Sequence, residues 1–481
     1  MRHVSPRVRA RHGLAVAVIL AALAAACTPD QQPTTPLSPS APRRTLGATV
    51  VVANANDAGP GSLRQAVVDA SDGATIQFDP SLAGQTITLL TQLALTDKSV
   101  TIEGPAVGGI TLSGAGADRV VFVDAGPIDA PIDVTLRNVT ITNGRGTPAG
   151  GILLYGTLTL DHSTVSGNHV VGAPADALVG ADGGGIGIYG GSLTLLNSTV
   201  SGNSALNSGG GVGFVSAHGH SSGSATLINS TVTGNSGKSG GGILATVGTG
   251  LTESTAVTLY NSIVADNSSS VDVASINCFV GSNVDVQISG TNLSSDGSCG
   301  AASPAMIIGD PLLGPLAANG GPTMTHKLLA GSPAIDAAGC TVTDDQRYVT
   351  RPQGATCDIG AVEFDDYIRV AITLDPSGTV NSRTGVAIVS GSVSCSVPTP
   401  LALAVSINQA QKVGKVNVNV AASDVVQLSC GARKAWSIAL TPPTGGFANS
   451  PALVTAATSN TSAAVVPASA SATIKMAWSR R

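Results

Sequence analysis

The chain has 481 residues, of which 43% are hydrophobic, 11% charged and only 3% aromatic, and Gly stands at 59 positions. Low charge beside average hydrophobicity excludes a disordered chain, scarce aromatics disfavour a large helical bundle, and the absence of a Gly-X-Y period excludes collagen. The net charge of −5 falls to −9 without residues 1–26, which carry four Arg and no acid, so nucleic acid and an anionic lipid surface are excluded as partners.

Residues 2–11 hold Arg2, Arg7, Arg9 and Arg11, and residues 13–26 follow as an apolar stretch. That stretch is too short to span a bilayer and has the length of a signal h-region. It ends Leu23-Ala24-Ala25-Ala26-Cys27, which resembles a bacterial lipobox, with Leu one place further from Cys27 than the pattern has it. The resemblance implies lipidation of Cys27 by more than one acyl chain, as stable attachment requires. The alternative is ordinary cleavage after the small residues, leaving Cys27 unmodified. Residues 28–42 (TPDQQPTTPLSPSAP) are a Pro-, Ser- and Thr-rich tether with almost nothing to pack.

Setting Cys27 aside leaves six Cys in neighbouring pairs: Cys278 and Cys299, Cys340 and Cys357, Cys395 and Cys430. Six Cys allow fifteen connectivities, of which sequential pairing is the most economical. Each bridge in an exported protein adds about 3–4 kcal/mol by the loop-entropy argument. No CxxC and no His at ligand spacing supports a metal site, and no cofactor motif is present.

Residues 49–52 read as a strand. After Pro60-Gly61-Ser62, the residues Leu63, Ala66, Val67 and Ala70 have helical spacing, and Ser62 with Gln65 forms a capping box. A short amphipathic helix should lie across the first coil of a solenoid, because the chain beyond it repeats. Ser-Thr-Val-Ser-Gly-Asn occurs at 163–168 and 198–203, Ser-Thr-Val-Thr-Gly-Asn at 230–235 and Ser-Ile-Val-Ala-Asp-Asn at 262–267, each behind a short strand pattern. Leucines 136, 160, 195, 227 and 259 align, and a Gly run followed by an aliphatic residue separates the copies: Ile152, Ile186, Val212 and Ile243. Half-buried strands this short cannot form a core alone, but stacked one coil per repeat they pair above and below. The prediction is an all-β fold, a right-handed parallel β-helix with a minimum period of 24, Gly runs at the turns and stacked Asn at the corners, including the Asn-Ser-Thr triplets at 197–199 and 229–231.

Two stretches carry a resemblance. Residues 54–66 (NANDAGPGSLRQA), followed by 76–79, resemble the CSLREA region of bacterial surface β-helix proteins, with Gly61 for the family Cys and Gln65 for Glu. The repeats are similar to those of polymorphic outer-membrane proteins and related adhesins. Residues 332–336 (SPAID), Asp345-Gln-Arg347, Arg351-Pro352 and 357–363 (CDIGAVE) resemble the choice-of-anchor Q ending, with Tyr348 where that pattern has Gly, so a different turn is expected there. The resemblance covers about 47–365 and implies a surface β-helix protein without implying an activity. Asp345, Arg347, Arg351, Asp358 and Glu363 are expected to form an ion-pair network closing the C-terminal coil beside Cys340 and Cys357.

From 366 the pattern changes to strand-like runs at 367–374, 385–397, 413–420 and 436–440, spanned by one Cys pair. This predicts an immunoglobulin-like β-sandwich over 366–481, although Trp436 follows Cys430 instead of standing between the two Cys. Residues 451–473 read as a last hairpin or a frayed tail. The domain order is thus signal peptide 1–26, tether 27–46, β-helix 47–365 and sandwich 366–481.

Chemistry is sparse. Across 134–270 the basic residues are Arg137, Arg145 and Lys238 and the acids are Asp161, Asp176, Asp182, Glu253 and Asp266, with no multi-carboxylate cluster. A carbohydrate-active enzyme, lyase or hydrolase, would have to rest on Asp161, Asp182 and His220. His218-Gly-His220 reads as a surface loop, His162 as a corner substitute in the repeat position of Asn197 and Asn229, and the Gly runs as turns and not a phosphate loop. Insertions at 169–182, 213–224 and 244–256 are where recognition is expected. No aromatic platform for sugar stacking is evident. The expected role is non-catalytic binding or adhesion at the cell surface, to a surface glycan or to a protein of a host or neighbouring cell, with the membrane reached through the lipid anchor alone. The alternatives are the carbohydrate-active enzyme, favoured by a carboxylate pair across coils, and a structural spacer. An uncharged flat face would favour binding.

Overall fold

A computed structural model describes residues 47–124, 132–171, 183–206, 209–214, 223–246, 255–271, 276–281, 283–300, 302–365, 368–396, 398–459, 465 and 468–479. Cys27, Asp182, His220, the tether and the greater part of the three insertions lie outside the described residues.

The repeat folds as a parallel β-helix. Sheet A has nine strands from Thr49–Val52 to Val284–Ser289, and sheet B nine from Thr86–Thr88 to Met306–Ile308. Sheet C has seven, from Leu93–Leu95 to Cys278–Val280, and sheet D has five two-residue strands from Arg145–Gly146 to Ser268–Ser269. One coil runs A, B, D, C, as in Thr157–Asp161, Thr164–Ser166, His169–Val170 and Ile186–Ile188. The aligned leucines 136, 160, 195, 227 and 259 are in register on neighbouring strands of sheet A and at most 1% exposed. Each contributes about 1.5–3 kcal/mol by leaving water, which explains why an apolar period fixes the coil.

The helix Leu63–Asp69 buries Leu63, Ala66 and Val67 in the solenoid core. Its cap is half of the expected box. Ser62 Oγ accepts the Gln65 N–H at 3.2 Å, but the Gln65 side chain turns forward to Asp69 and the Ser62 N–H goes to Gly59 O.

Two expectations about the repeat change. Asn197 and Asn229 do take left-handed backbone, with φ of 45° and 44°, but they do not stack on each other. The stacked ladder is the last residue of each motif. Asn168, Asn203, Asn235 and Asn267 each donate from Nδ2 to the Oδ1 of the next, ending on Asn277, at 2.9–3.0 Å. The same Oδ1 also accepts the preceding backbone N–H, so two buried donors are satisfied per rung. The paired glycines of the runs serve close approach. A Cβ on Gly185 would come 2.8 Å from Gly211 O, and one on Gly211 2.6 Å from Gly242 O, with the ladder Asn side chains alongside.

Residues 310–365 depart most from expectation. The ion pairs form: Arg347 binds Asp345 at 2.7 Å and Asp365 at 2.9 Å, and Arg351 binds Glu363 at 2.6 Å. The segment does not, however, simply close the last coil. It lies as a strap along sheet B. Gly339, Thr341 and Asp344 accept from the corner residues Asn261, Asn229 and Asn197 in turn, and Tyr348 donates to Asn138. Gln346 is fully buried, accepts from Thr199 and donates to Ser163 O, Thr164 and Thr323. The strap covers the outward Thr and Ser of Thr164–Ser166, Thr199–Ser201 and Thr231–Thr233, so every residue of those strands is buried. The segment is not an end closure, because its residues 339, 341, 344 and 348 bond the polar corners of successive coils, while the ion pairs stay within the segment and, among the described residues, Asp358 joins none of them. Tyr348 has φ 65°, the left-handed backbone a Gly adopts without strain.

The last unit is the immunoglobulin-like sandwich. Val370–Leu374, Ala387–Cys395 and Lys434–Leu440 form one sheet. Ser377–Val380, Ser469–Trp478, Ala452–Thr458, Thr399–Val413 and Val416–Cys430 form the other, with Ser377–Val380 parallel to Ser469–Trp478 and also antiparallel to Ala387–Cys395. Val389, Val393 and Trp436 meet Leu403, Val405 and Val454 in the core. The expected strand at 413–420 is cut by a turn at Gly414, φ 63°, between two 15-residue strands. The expected pairing holds for all three disulfides, with Cα separations of 5.0, 5.1 and 5.6 Å.

Candidate functional site

Asp161 closes the strand Thr157–Asp161, and register sets Arg137 on the strand before it and Leu196 on the strand after. Arg137 Nε donates to Asp161 Oδ2 at 2.8 Å and Nη1 to Glu103 Oε1 at 3.2 Å, while Gln77 Nε2 donates to Glu103 Oε2. His162 Nδ1 is 2.6 Å from Asp161 Oδ1. His162 has φ 50° in the same column as Asn138, Asn197, Asn229 and Asn261, which bears out its reading as a corner substitute. Its ring stacks on Tyr348 at 4.2 Å and 12°, and the circuit closes through Tyr348 Oη to Asn138 and Asn138 Nδ2 to Gly104 O.

Burial opposes the charge on Asp161, but the bonds from His162 and Arg137 outweigh it and hold the carboxyl below its usual range. Burial likewise opposes the Arg137 charge, and its two carboxylate partners more than restore it. A carboxylate so held is a poor proton donor, and each of its oxygens already has a partner. Glu103 and Asp161 stand two strands apart in one column, about 9–10 Å at ordinary strand spacing. That is the separation of an inverting hydrolase pair, yet Arg137 sits between them and binds both. The adjoining cleft, of about 620 Å³, is lined by Phe78, Glu103, Val107, Asn138 and Tyr348 among others. Its one charged lining residue, Glu103, is already bound by Arg137 and Gln77.

The outward face of sheet A is different in kind. Thr49, Thr75, Thr101, Thr135, Thr159, Thr194, Thr226 and Thr258 are in register across eight consecutive strands, and none of them is buried. Strand spacing puts a hydroxyl and a methyl every 4.7–4.9 Å or so. The strands Ser192–Leu196, Ser224–Ile228 and Thr255–Tyr260 contain no charged residue, and Ser224 Oγ bonds Ser192 Oγ at 3.1 Å beside the Thr column.

Sheet D carries a groove of about 530 Å³ running over four coils. His169, Ser204, Ser236 and Ser268 are in register along it, with His169 Nδ1 2.7 Å from Ser204 Oγ, and Leu206 is 66% exposed at its rim. Nothing in the sequence pointed to this face, because two-residue strands carry no periodicity. Phe122, Tyr155 and Tyr189 do come together, with ring centroids 5.9 and 5.4 Å apart, but Tyr189 is 5% exposed and packs with Ala149, Leu153 and Leu244 as a satellite core.

Among the described residues no group of three His, Cys, Asp or Glu could hold a metal ion, and no helix is long and apolar enough to cross a membrane. Of the weak catalytic trio, Asp161 is placed as above, whereas Asp182 and His220 lie outside the described residues, as does the lipidation candidate Cys27. No protein-family model and no curated protein matches the chain.

Proposed function

We propose that this chain is an exported, lipid-anchored surface β-helix protein of the CSLREA and choice-of-anchor Q kind, which binds a glycan or a protein of a neighbouring or host cell and catalyses no reaction. The observation that carries the reading is the outward face of sheet A: a flat, rigid array of in-register threonines with three successive uncharged strands. Such a face offers hydroxyls and methyls over a wide area and suits broad, shallow contact. The partners already held by both oxygens of Asp161, which keep it ionised, weigh against the hydrolase alternative. Attachment rests on the h-region, Cys27 and the tether.

A glycan-array screen paired with a reducing-sugar and unsaturated-uronate assay on each hit tests the activity. Binding without product is expected, and product would overturn the reading. Fractionation tests the anchor: Cys27→Ser should move the chain out of the membrane fraction and abolish acyl labelling, and an unchanged distribution would refute lipidation.

A further inference from the structure

Only three basic residues occur in 134–270, and they are not distributed evenly in their surroundings. Arg137 is consumed by Glu103 and Asp161. Arg145 and Lys238 are exposed and form no ion pair among the described residues. Both flank the groove of sheet D. Arg145 is in register with His169 one strand beyond the groove's end, and Lys238 directly follows the lining residue Gly237, on the same face as Ser236. They stand three strand spacings apart along the axis, about 14 Å. Between them run His169, Ser204 and Ser236, and among the described residues no Asp or Glu lines the groove. Two acids stand two residues from the lining in sequence: Asp266 precedes Ser268 at the opposite end, on a corner where burial and Asp310 raise its pKa, and Asp272, after Ser270, lies outside the described residues. In a chain this acidic, a cation-flanked, hydroxyl-lined groove with no carboxylate among its described lining residues is a local reversal of charge.

We propose that the groove holds an extended anionic glycan lying along the solenoid axis, its charges met by Arg145 and Lys238 and its hydroxyls by the His169, Ser204, Ser236 and Ser268 column. A repeating polymer suits a site whose donors repeat once per coil, and the exposed Val171 and Leu206 give an apolar rim for the faces of sugar rings. Nucleic acid is disfavoured, because no aromatic side chain lines the groove for base stacking. The inference rests on the surface-binding reading above and narrows it to one ligand chemistry.

The test is binding of the purified full chain to immobilised polygalacturonate (carboxylate) and chondroitin sulfate (carboxylate and sulfate), with methyl-esterified polygalacturonate, neutral dextran and oligo-dT as comparisons. At least one of the two acidic polymers should bind and the neutral ones should not, with affinity falling as salt rises. The double substitution Arg145→Ser and Lys238→Ser should weaken binding at least tenfold while leaving the thermal midpoint unchanged, since both side chains are exposed and outside every ion pair. Unchanged affinity in the double variant, equal binding of the esterified polymer, equal binding of oligo-dT, or no binding to either acidic polymer would each overturn the proposal. A neutral glycan or a protein bound on the array would then leave the broader binding reading standing, whereas product release would remove that reading independently.

Discussion

Replacing Asn235 by Ala tests whether the buried amide ladder holds the coils together. Asn235 is fully buried; its Nδ2 donates to Val200 O, Thr233 O and Asn267 Oδ1, and its Oδ1 accepts the backbone N–H and the Nδ2 of Asn203. Truncation leaves the Asn203 N–H without that acceptor and takes a donor from Val200 O. Asn203 Nδ2 keeps Val165 O, and Asn267 Oδ1 keeps the Asn235 N–H. The Asn203 N–H orphaned at about 1–3 kcal/mol, with about 0.5–1.5 kcal/mol for each bond lost at Val200 O, Thr233 O, Asn267 Oδ1 and Asn203 Nδ2, gives a loss of about 3 kcal/mol or more. The corner residue Asn229 is the control. Its side chain donates to Thr341 alone, at 3.3 Å, so Asn229→Ala should cost about 1–2 kcal/mol, including the strain of Ala at φ 44°. Urea unfolding followed by circular dichroism measures the pair, and hydrogen exchange over 198–237 locates the loss. Equal effects of the two substitutions, or a loss below about 1 kcal/mol at Asn235, would refute the argument. Asn235→Asp should be worse than Ala at neutral pH, because a carboxylate would face Asn267 Oδ1 and two carbonyls, and it should recover partly on acidification.

Further outcomes are expected elsewhere. Burial and the Glu363 carboxylate push the Asp358 pKa up to about 7, so the folded chain holds this proton more tightly than the unfolded one; stability from this group is full below about pH 4 and falls as pH rises through 7, by at most about 4 kcal/mol. Thermal midpoints between pH 5 and 8 should show that slope, and Asp358→Asn should flatten it while weakening one of the N–H bonds from Asp336 and Phe364. Gly211→Ala puts a Cβ 2.6 Å from Gly242 O and should lower stability by about 1–3 kcal/mol, more than Gly202→Ala, where only the φ of 65° resists; the two midpoints decide it. Gln346→Ala removes three bonds between strap and solenoid and one within the strap, and should raise exchange at 339–349 at least tenfold while sparing sheet A; uniform exchange would show that the strap is held elsewhere.

The coil was legible because its core is apolar and periodic: Leu160 and Leu195 could be aligned by eye, and the structure pairs them. The repeat also revealed its asparagines but not their division of labour, since Asn197 and Asn203 look alike in sequence, yet Asn197 takes left-handed backbone and bonds the strap while Asn203 bonds the next rung of the ladder. The strap was illegible for a different reason. Its bonds join residues 78 to 210 positions apart through polar side chains that have no period, and Gln346 reads as an ordinary surface residue. The stitched state of Asp161 was equally hidden, because Arg137 and Glu103 come from other coils. The sheet D groove consists mostly of serines, which carry no signal until register lines them up. On the sandwich, Gly414 was the available sign that a turn interrupts 413–420 between long strands.

The strap has a consequence for how this molecule can change over generations. An ordinary solenoid can gain or lose a coil, because each coil meets only its neighbours. Here 339, 341, 344 and 348 meet the corners at 261, 229, 197 and 138, so the strap works as a gauge cut to one number of coils. Adding a coil would slide every later corner past its partner and strand Gln346 among the wrong hydroxyls. Variation is therefore steered into the sequence insertions between successive repeats, which add residues without adding a corner. The length of the rod is frozen while its fringe stays free to diversify.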